Sequence, residues 1–292
     1  MSNQLHVVTP VAPRDLGKLH ACVMSVREAA SRLGRPVDHV VVVDGRPESE
    51  GLTRDLVRTL GIGAWSSTYG LRVFWLDAPV GPGNARNVAI AGFDPGDLVF
   101  FIDADDLMTP DSLVLRVEPL EARERAFCYG AIRAEYENSN EPPTKAPLIA
   151  ADRLKPALQV CNPLIPNMVG VRAGQIQEAG GFEPYLVCGE DGNLFRRMLD
   201  KDPPVVRVDK PVAVYRHRYR SQSRLASLDP HGAALFHPKA FHLDKAVYGP
   251  MGQELDPTAA VRAADFALAG GPMDKVAVLA PGAELLSVES FR

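Results

Sequence analysis

The chain of 292 residues lacks the features of a membrane protein or of a secreted one. Its longest apolar run, around Leu98 to Ile102, is as long as a strand and far too short to cross a bilayer. The first residues show no charged segment followed by an apolar one. There is no internal repeat or low-complexity tract. We therefore expect a cytoplasmic globular protein without a transmembrane segment, and attachment to a membrane surface is left open.

Cysteine pairs, strong charge and glycine-rich nucleotide loops are also absent. The four cysteines are scattered and form no CxxC pair, so neither a structural zinc site nor a disulfide framework is indicated. A net charge of -4 argues against general electrostatic capture of nucleic acid. The residues after the first apolar run, Thr9 to Arg14, contain no GxGxxG and no Gly-rich, Arg-containing loop. A dinucleotide-binding dehydrogenase and a nucleotide-sugar pyrophosphorylase are therefore disfavoured.

What is present is an alternation of apolar runs with helix-like segments. Strands are predicted at Leu5–Val11, His39–Val43, Leu71–Leu76 and from Leu98, and helices around Leu16–Val26, Leu52–Leu60, Asn84–Ala91 and later at Glu190–Leu199. Continuous apolar strands separated by helices indicate a parallel sheet covered on both faces. Ligands of such sheets bind beyond the carboxyl ends of the strands. The residues at those ends are Thr9, Asp44, Asp77 and Asp103.

The run from Leu98 to Asp106 is an apolar strand that ends in Asp103, Asp105 and Asp106. Clustered carboxylates repel one another unless a cation lies among them. Hard oxygen ligands suit Mg2+ or Mn2+, and these ions suit a phosphate-bearing substrate. A solvated acidic turn is the alternative for this segment taken alone.

Two further segments have both a chemical and a structural interpretation. Gly81 to Asn87 precedes a helix, where glycines and Arg86 favour an anion, although a loop with a helix cap has the same composition. Glu190 and Asp191 begin another helix, where the helix dipole favours carboxylates. They form either an electrostatic cap or a site with a general base.

A basic cluster lies between Arg207 and Arg224 and contains Arg216 and His217. Such a run is usually a solvated edge. In an acidic protein it could instead hold a diphosphate or an anionic acceptor. His217 taken alone favours an ordinary histidine over a metal ligand.

Taken in order, these motifs resemble the family 2 glycosyltransferases of the GT-A fold. The resemblance covers roughly residues 5 to 225 and rests on Asp44-Gly, Gly-Asn-Ala-Arg-Asn, Asp-Ala-Asp-Asp, Gly-Gly-Phe, Gly-Glu-Asp and Tyr-Arg-His. It implies a Rossmann-like, mixed but mostly parallel sheet flanked by helices. Residues 1–106 would form the nucleotide-sugar-binding half, residues 107–225 the acceptor and catalytic half, and residues 226–292 a C-terminal accessory tail.

The resemblance also implies roles for single residues. Thr9, Pro10 and Asp44 match positions that hold the base and ribose, and Arg86 and Asn87 match the segment beside the diphosphate. Asp103, Ala104 and Asp105 match the DxD motif, in which Asp105 would be the main metal ligand. Asp103 would orient the ribose or a metal-bound water, and Asp106 would be an alternative ligand. Asp191 matches the catalytic base, with Glu190 positioning it. His217 matches a histidine that completes the metal site in some members, and Arg216 would assist the diphosphate.

The resemblance implies an inverting transfer of a sugar from a nucleotide-diphosphate donor, with UDP expected by analogy, in the presence of Mn2+ or Mg2+. The acceptor is open, with an anionic glycolipid, polymer, protein or modified DNA as candidates, and the tail is a candidate contact for a homo-oligomer. Two alternatives remain at this point. One is a haloacid-dehalogenase-type phosphatase using Asp103, and the other is a non-catalytic relative that binds carbohydrate or a partner.

Overall fold

The computed structural model describes residues 3–45, 66–136, 144–145, 148–158, 162–184, 186, 189–217, 275–277 and 285–287. The helix predicted at Leu52–Leu60 lies outside these residues. So does the accessory tail, except for two short strands, β10 (Lys275–Ala277) and β11 (Leu285–Ser287), which pair antiparallel. No helix in the described ranges has both the length and the apolar character needed to cross a membrane.

The first half of the chain builds the parallel part of the sheet, as predicted. Its strands are β1 (Leu5–Val11), β2 (Val37–Val43), β3 (Tyr69–Trp75) and β4 (Leu98–Phe101), and its helices are α1 (Leu16–Leu33) and α2 (Pro82–Ile90). β1 pairs in parallel with both β2 and β4, and β2 pairs in parallel with β3. β1 and β4 are buried along their whole length, which explains their unbroken apolar sequences.

The second half adds antiparallel pairing to the same sheet. Its elements are β5 (Leu107–Met108), α3 (Ser112–Ala122), β6 (Phe127–Tyr136), β7 (Thr144–Lys145), α4 (Ala151–Leu158), β8 (Val169–Arg172), α5 (Ala173–Glu178), α6 (Glu190–Leu199) and β9 (Val205–His217). The strand order is β3-β2-β1-β4-β8-β6-β9-β5, with β7 beside β6. β8 runs antiparallel to β4 and β6, whereas the long β9 runs parallel to β6 and antiparallel to β5.

Two apolar clusters cover the two faces of this sheet. One face packs against α1 and α3 through residues such as Leu19, Val26 and Leu113. The other face packs against the remaining helices, with Leu154 and Leu194 among the buried residues. This double coverage confirms the α/β class expected from the alternating pattern. It also leaves the carboxyl ends of β1, β2 and β4 as the edge at which polar side chains gather.

Candidate active site

One side of the candidate site is formed by the carboxyl ends of β1 and β2. Thr9 and Pro10 are buried in β1, and the Thr9 hydroxyl shares a hydrogen bond of 2.8 Å with Nε2 of His39. Asp44 follows β2, and its two carboxylate oxygens accept the backbone N–H groups of Val80 and Gly81 at 2.6 and 2.9 Å. Asp44 therefore positions the loop that leads into α2.

The acidic turn after β4 is defined by residues 103–106, and it is held by a side chain that sequence reasoning missed. The fully buried Asn167 accepts the Asp103 N–H through Oδ1 at 2.9 Å and donates from Nδ2 to Asp106 at 2.6 Å. The second oxygen of Asp106 accepts the backbone N–H of Arg216 at 2.7 Å. The turn is therefore fixed from two distant segments, one before β8 and one in β9.

The charges of the acidic turn act on one another. Asp106 is only 1% exposed, whereas the Asp103 side chain is 29% exposed. Burial, with the nearby charges of Asp103 and Asp105, raises the pKa of Asp106 to about 8, against the opposing effect of its two hydrogen bonds. A nearby cation would reduce this repulsion between the carboxylates.

Arg86 joins the acidic turn to the start of α6. This guanidinium, whose side chain is 3% exposed, donates to Asp103 at 2.6 Å and to Glu190 at 3.0 Å. It also lies over the ring of Phe182, 5.3 Å from the centroid. The sequence predicted Arg86 beside a diphosphate, and the structure places it between two carboxylates. Neighbouring Asn87 exchanges two 2.8 Å hydrogen bonds with the backbone of Phe182.

The close approach of α2 and α6 depends on a glycine. A Cβ atom on Gly83 would lie 2.9 Å from Cγ of Glu190 and 3.2 Å from Cβ of Phe182. Contacts this short do not occur in folded proteins without displacement of the neighbours. The glycine therefore lets Glu190 reach the segment that carries Arg86.

The two acids at the start of α6 have different surroundings. Burial, together with the charge of Asp191, raises the pKa of Glu190 to about 7, and Arg86 opposes the increase. The pKa of Asp191 is also raised by burial, and it is held down by the Gly192 N–H, by Arg86 and by Asn162. Glu190 is buried against Arg86, whereas Asp191 is only partly buried. Asp191 is therefore the more accessible acid of the pair.

The basic cluster divides into separate parts in the structure. Arg207 is paired with Asp209, two residues along the same strand, at 2.5 Å. Arg216 contributes its backbone N–H to the acidic turn, and His217 ends β9. Among the described residues, no group of three or more His, Cys, Asp and Glu side chains surrounds a point at which a metal could bind. The side chain of His217 and residues 218–274 lie outside the description.

Residues 7–179 match the family model described as Glycosyl transferase family 2. This chain belongs to glycosyl transferase family 2. The family match covers more than half of the chain, and it agrees with the order of motifs found in the sequence. As a member of the family the protein is a glycosyltransferase, which decides against the phosphatase and the binding module. A search of curated protein sequences finds no match.

Solved glycosyltransferase structures share the fold of this family member. The structure of residues 1–349 of S. aureus TarS gives a TM-score of 0.54 at 16% identity and covers 90% of this chain and 72% of that one. The structure of the same fragment with UDP-GlcNAc gives a TM-score of 0.51 at 14% identity, and the match covers 90% of this chain and 73% of that one. GalNAc-T7 with UDP, GalNAc and Mn2+ gives 0.54 at 16% identity, over 75% of this chain and 44% of that one. These likenesses confirm the GT-A fold class.

Proposed function

We propose that this glycosyltransferase moves a sugar from a nucleotide-diphosphate donor to an acceptor hydroxyl with inversion, and that Asp191 is the general base. The observation that supports it is the continuous set of contacts from Asp103 through Arg86 to Glu190. These contacts bring the acids after β4 and the acids of α6, which are far apart in sequence, to one edge of the sheet. A donor beside the former and an acceptor beside the latter would meet between them.

The carboxylates of the acidic turn fit a divalent cation. Arg86 occupies Oδ1 of Asp103, and burial, together with the charges of Asp103 and Asp105, raises the pKa of Asp106. We propose that Asp105 and Asp103 hold Mg2+ or Mn2+, with His217 as a further candidate ligand. Because no complete set of protein ligands surrounds one point in the described ranges, donor phosphates and water would complete the coordination. A bound cation would supply neutralisation of the charge on the departing diphosphate.

In the proposed transfer, the side chains of this chain move one proton and hold the two acidic groups together. The acceptor oxygen forms a bond with the anomeric carbon on one face of the sugar. The bond from that carbon to the diphosphate oxygen breaks on the opposite face, and the nucleotide diphosphate departs with the bonding electrons. Asp191 takes the proton of the acceptor hydroxyl, while Glu190 and Arg86 hold the start of α6 against the acidic turn.

The donor is proposed to be a UDP-sugar. The support is that TarS was solved with UDP and with UDP-GlcNAc, and GalNAc-T7 with UDP, GalNAc and Mn2+. In this chain we propose that the ends of β1 and β2, at Thr9, Pro10 and Asp44, receive the nucleoside. The pairing of Arg207 with Asp209 removes one cation from the surface that suggested an anionic acceptor. The acceptor is proposed only as a compound with a free hydroxyl, because the transfer itself requires that group.

The test is a calorimetric and thermal-shift screen of UDP, GDP, CDP and TDP, and of UDP-sugars, with and without Mn2+. We expect one nucleotide to bind in a metal-dependent way and Asp105→Ala to weaken both metal and nucleotide binding. Asp209→Ala is the matched control, because it removes an exposed acid of β9 that lies in an ion pair away from the acidic turn. Metal-dependent binding that persists in Asp105→Ala would contradict the proposed ligand.

A further inference from the structure

We infer that Asn162 is a positioning residue for the proposed base: its amide fixes one oxygen of Asp191 and leaves the other to receive the acceptor proton. This inference rests on the proposed function, because it assigns Asn162 a part in the same proton transfer. It concerns residues 162–168, the loop before β8, to which the sequence analysis assigned no chemistry.

The contact is direct and involves one oxygen only. Nδ2 of Asn162 donates to Oδ1 of Asp191 at 3.0 Å, and the backbone N–H of Gly192 donates to the same oxygen at 2.7 Å. Within the described part of the chain, Oδ2 of Asp191 makes no hydrogen bond. Because Oδ1 already accepts two donors, the lone pairs of Oδ2 are the ones available to a hydroxyl proton.

The orientation of the amide is determined by a second hydrogen bond. Oδ1 of Asn162 accepts the backbone N–H of the buried Leu164 at 3.3 Å. A reversed amide would place its NH2 group against that N–H and its oxygen against the carboxylate, so both contacts would become repulsive. Pro163 and Pro166, which flank Leu164 and Ile165, restrict the backbone of the loop. The donor is therefore presented to Asp191 in one orientation.

The loop supports both acidic groups of the site. Asn162 lies at its start and contacts Asp191, and Asn167 lies at its end and contacts the acidic turn. The fully buried Arg116 holds the loop's end by donating to the carbonyl of Val169 at 3.0 Å. One short segment thus sets the base and the acidic turn relative to each other.

The chemical consequence follows from the charge of Asp191. A hydrogen bond donated to a carboxylate favours its ionised form, which is the form that accepts a proton. Burial and the charge of Asp103 raise the pKa of Asp191, whereas the Gly192 N–H and the charge of Arg86 lower it together with Asn162. Removal of the Asn162 amide is therefore expected to increase the proton affinity of Asp191 and to free its carboxylate to rotate.

The experiment uses the full chain and the variants Asn162→Ala, Asn162→Asp and Asp191→Asn. The first measurement is a 13C NMR titration of the aspartate carboxyl groups, in which Asp191→Asn identifies the Asp191 signal. We expect Asn162→Ala to raise the pKa of Asp191 by about one unit. Asn162→Asp, which has the same shape, should raise it further, because two carboxylates would then share the contact.

The second measurement is the pH dependence of kcat and kcat/KM for sugar transfer. We expect the acid limb of both profiles to move upward in Asn162→Ala by the same amount as the pKa of Asp191, with the KM for the donor unchanged. A further variant, Asn162→Ser, keeps a shorter donor and should show a smaller shift than Asn162→Ala. A variant that merely loosened the fold would lower activity at all pH values and leave the limb in place.

The outcomes separate the two proposals. If the NMR titration of Asp191 is unchanged in Asn162→Ala, the inference about Asn162 is wrong even when Asp191→Asn abolishes transfer. A changed titration with an unchanged pH–rate profile also overturns its part in the reaction. If Asp191→Asn retains full turnover, the base assignment fails, and Asn162 loses its part with it, whatever the titration shows.

Discussion

The two halves of the site obtain their geometry in different ways. In the half that we propose binds the donor, between residues 3 and 106 and called the donor half, the acids follow parallel strands, so the pairing of β1 with β2 and β4 brings Asp44 and Asp103 to one edge. In the half that carries the proposed base, between residues 107 and 217 and called the base half, the acids begin a helix whose start is bonded to side chains from other segments, Arg86 and Asn162. Strand pairing places the first group, although Asn167 and Arg86 also hold its acidic turn, whereas the second group depends on side chains for its contacts with the rest of the site. Point substitutions should therefore disturb the base half more easily.

The largest effect is expected from Asp191→Asn, which tests whether the proposed base can be removed without loss of nucleotide binding. Loss of a general base lowers turnover by roughly 10^2 to 10^4-fold. Because Asp191 does not belong to the donor half, the affinity for nucleotide should change little. Single-turnover transfer rates and calorimetric nucleotide binding would measure the two quantities. An equal loss of both would show that the halves are not separable in this way.

Arg86→Met tests the charge that joins the halves. The substitution leaves Asp103 and the buried Glu190 without their shared cation, and an uncompensated buried charge typically costs 3–5 kcal/mol. We expect about 3 kcal/mol of lost unfolding free energy, since Asp103 is 29% exposed and water shields it. Urea denaturation of the variant measures the loss.

The matched double variant Arg86→Met/Glu190→Gln controls for the loss of the arginine itself. It removes one of the two abandoned carboxylates, so it should recover part of the lost stability. Single and double variants of equal stability would mean that the Glu190 carboxylate costs nothing when Arg86 is absent.

Gly83→Ala tests the close contact between α2 and α6. The added methyl group would lie 2.9 Å from Glu190, and overpacking of this kind costs about 2 kcal/mol. Transfer should slow as well, because Glu190 is displaced from Arg86. Gly17→Ala in α1 is the control, since no other segment among the described residues lies within 4 Å of its added Cβ, and alanine favours helices. Equal destabilisation by the two substitutions would contradict the contact.

An effect of similar size concerns the pH dependence of stability in the donor half. Burial lowers the pKa of His39 to about 3, despite the neighbouring charge of Asp38, and its ring lies between the hydroxyl groups of Thr9 and Tyr69. A group whose pKa is lower in the folded state stabilises the fold above its unfolded pKa of about 6.5, and the stabilisation is lost as the pH falls toward 3.

Between pH 7 and pH 5 this loss amounts to roughly 2 kcal/mol. Denaturant unfolding at the two pH values, compared with His39→Gln, isolates the contribution, because the variant has no imidazole to protonate. A wild-type protein that loses no more stability than His39→Gln would show that His39 titrates normally.

The sequence predicts the parallel half of the fold well for a physical reason. Buried strands are uniformly apolar, so β1, β2 and β4 stand out from the helices between them, and Asp44 and Asp103 mark their ends. The helix α6 is also found as predicted, from Glu190 to Leu199, because its apolar residues recur on one side. These are local patterns, and local patterns can be read from a single chain.

The contacts that complete the site have no local pattern. Asn162 and Asn167 donate to carboxylates that lie 29 and 61 residues away in the sequence. The sequence of a proline-rich loop does not indicate which of its side-chain amides will bind a distant carboxylate. Arg86 is recognisable as a site residue, but its partner Glu190 is 104 residues away. The pairing of Arg207 with Asp209 could have been found, because residues two apart lie on the same face of a strand.

The hydrogen bond from β9 to the acidic turn has a consequence for sequence variation. Asp106 is bound by the backbone N–H of Arg216, and every amino acid except proline supplies that group. Position 216 can therefore exchange its side chain among relatives while the turn keeps its shape. The side chain at this position could therefore change during evolution while the acidic turn keeps its geometry, and proline is the one residue that we expect never to occur there.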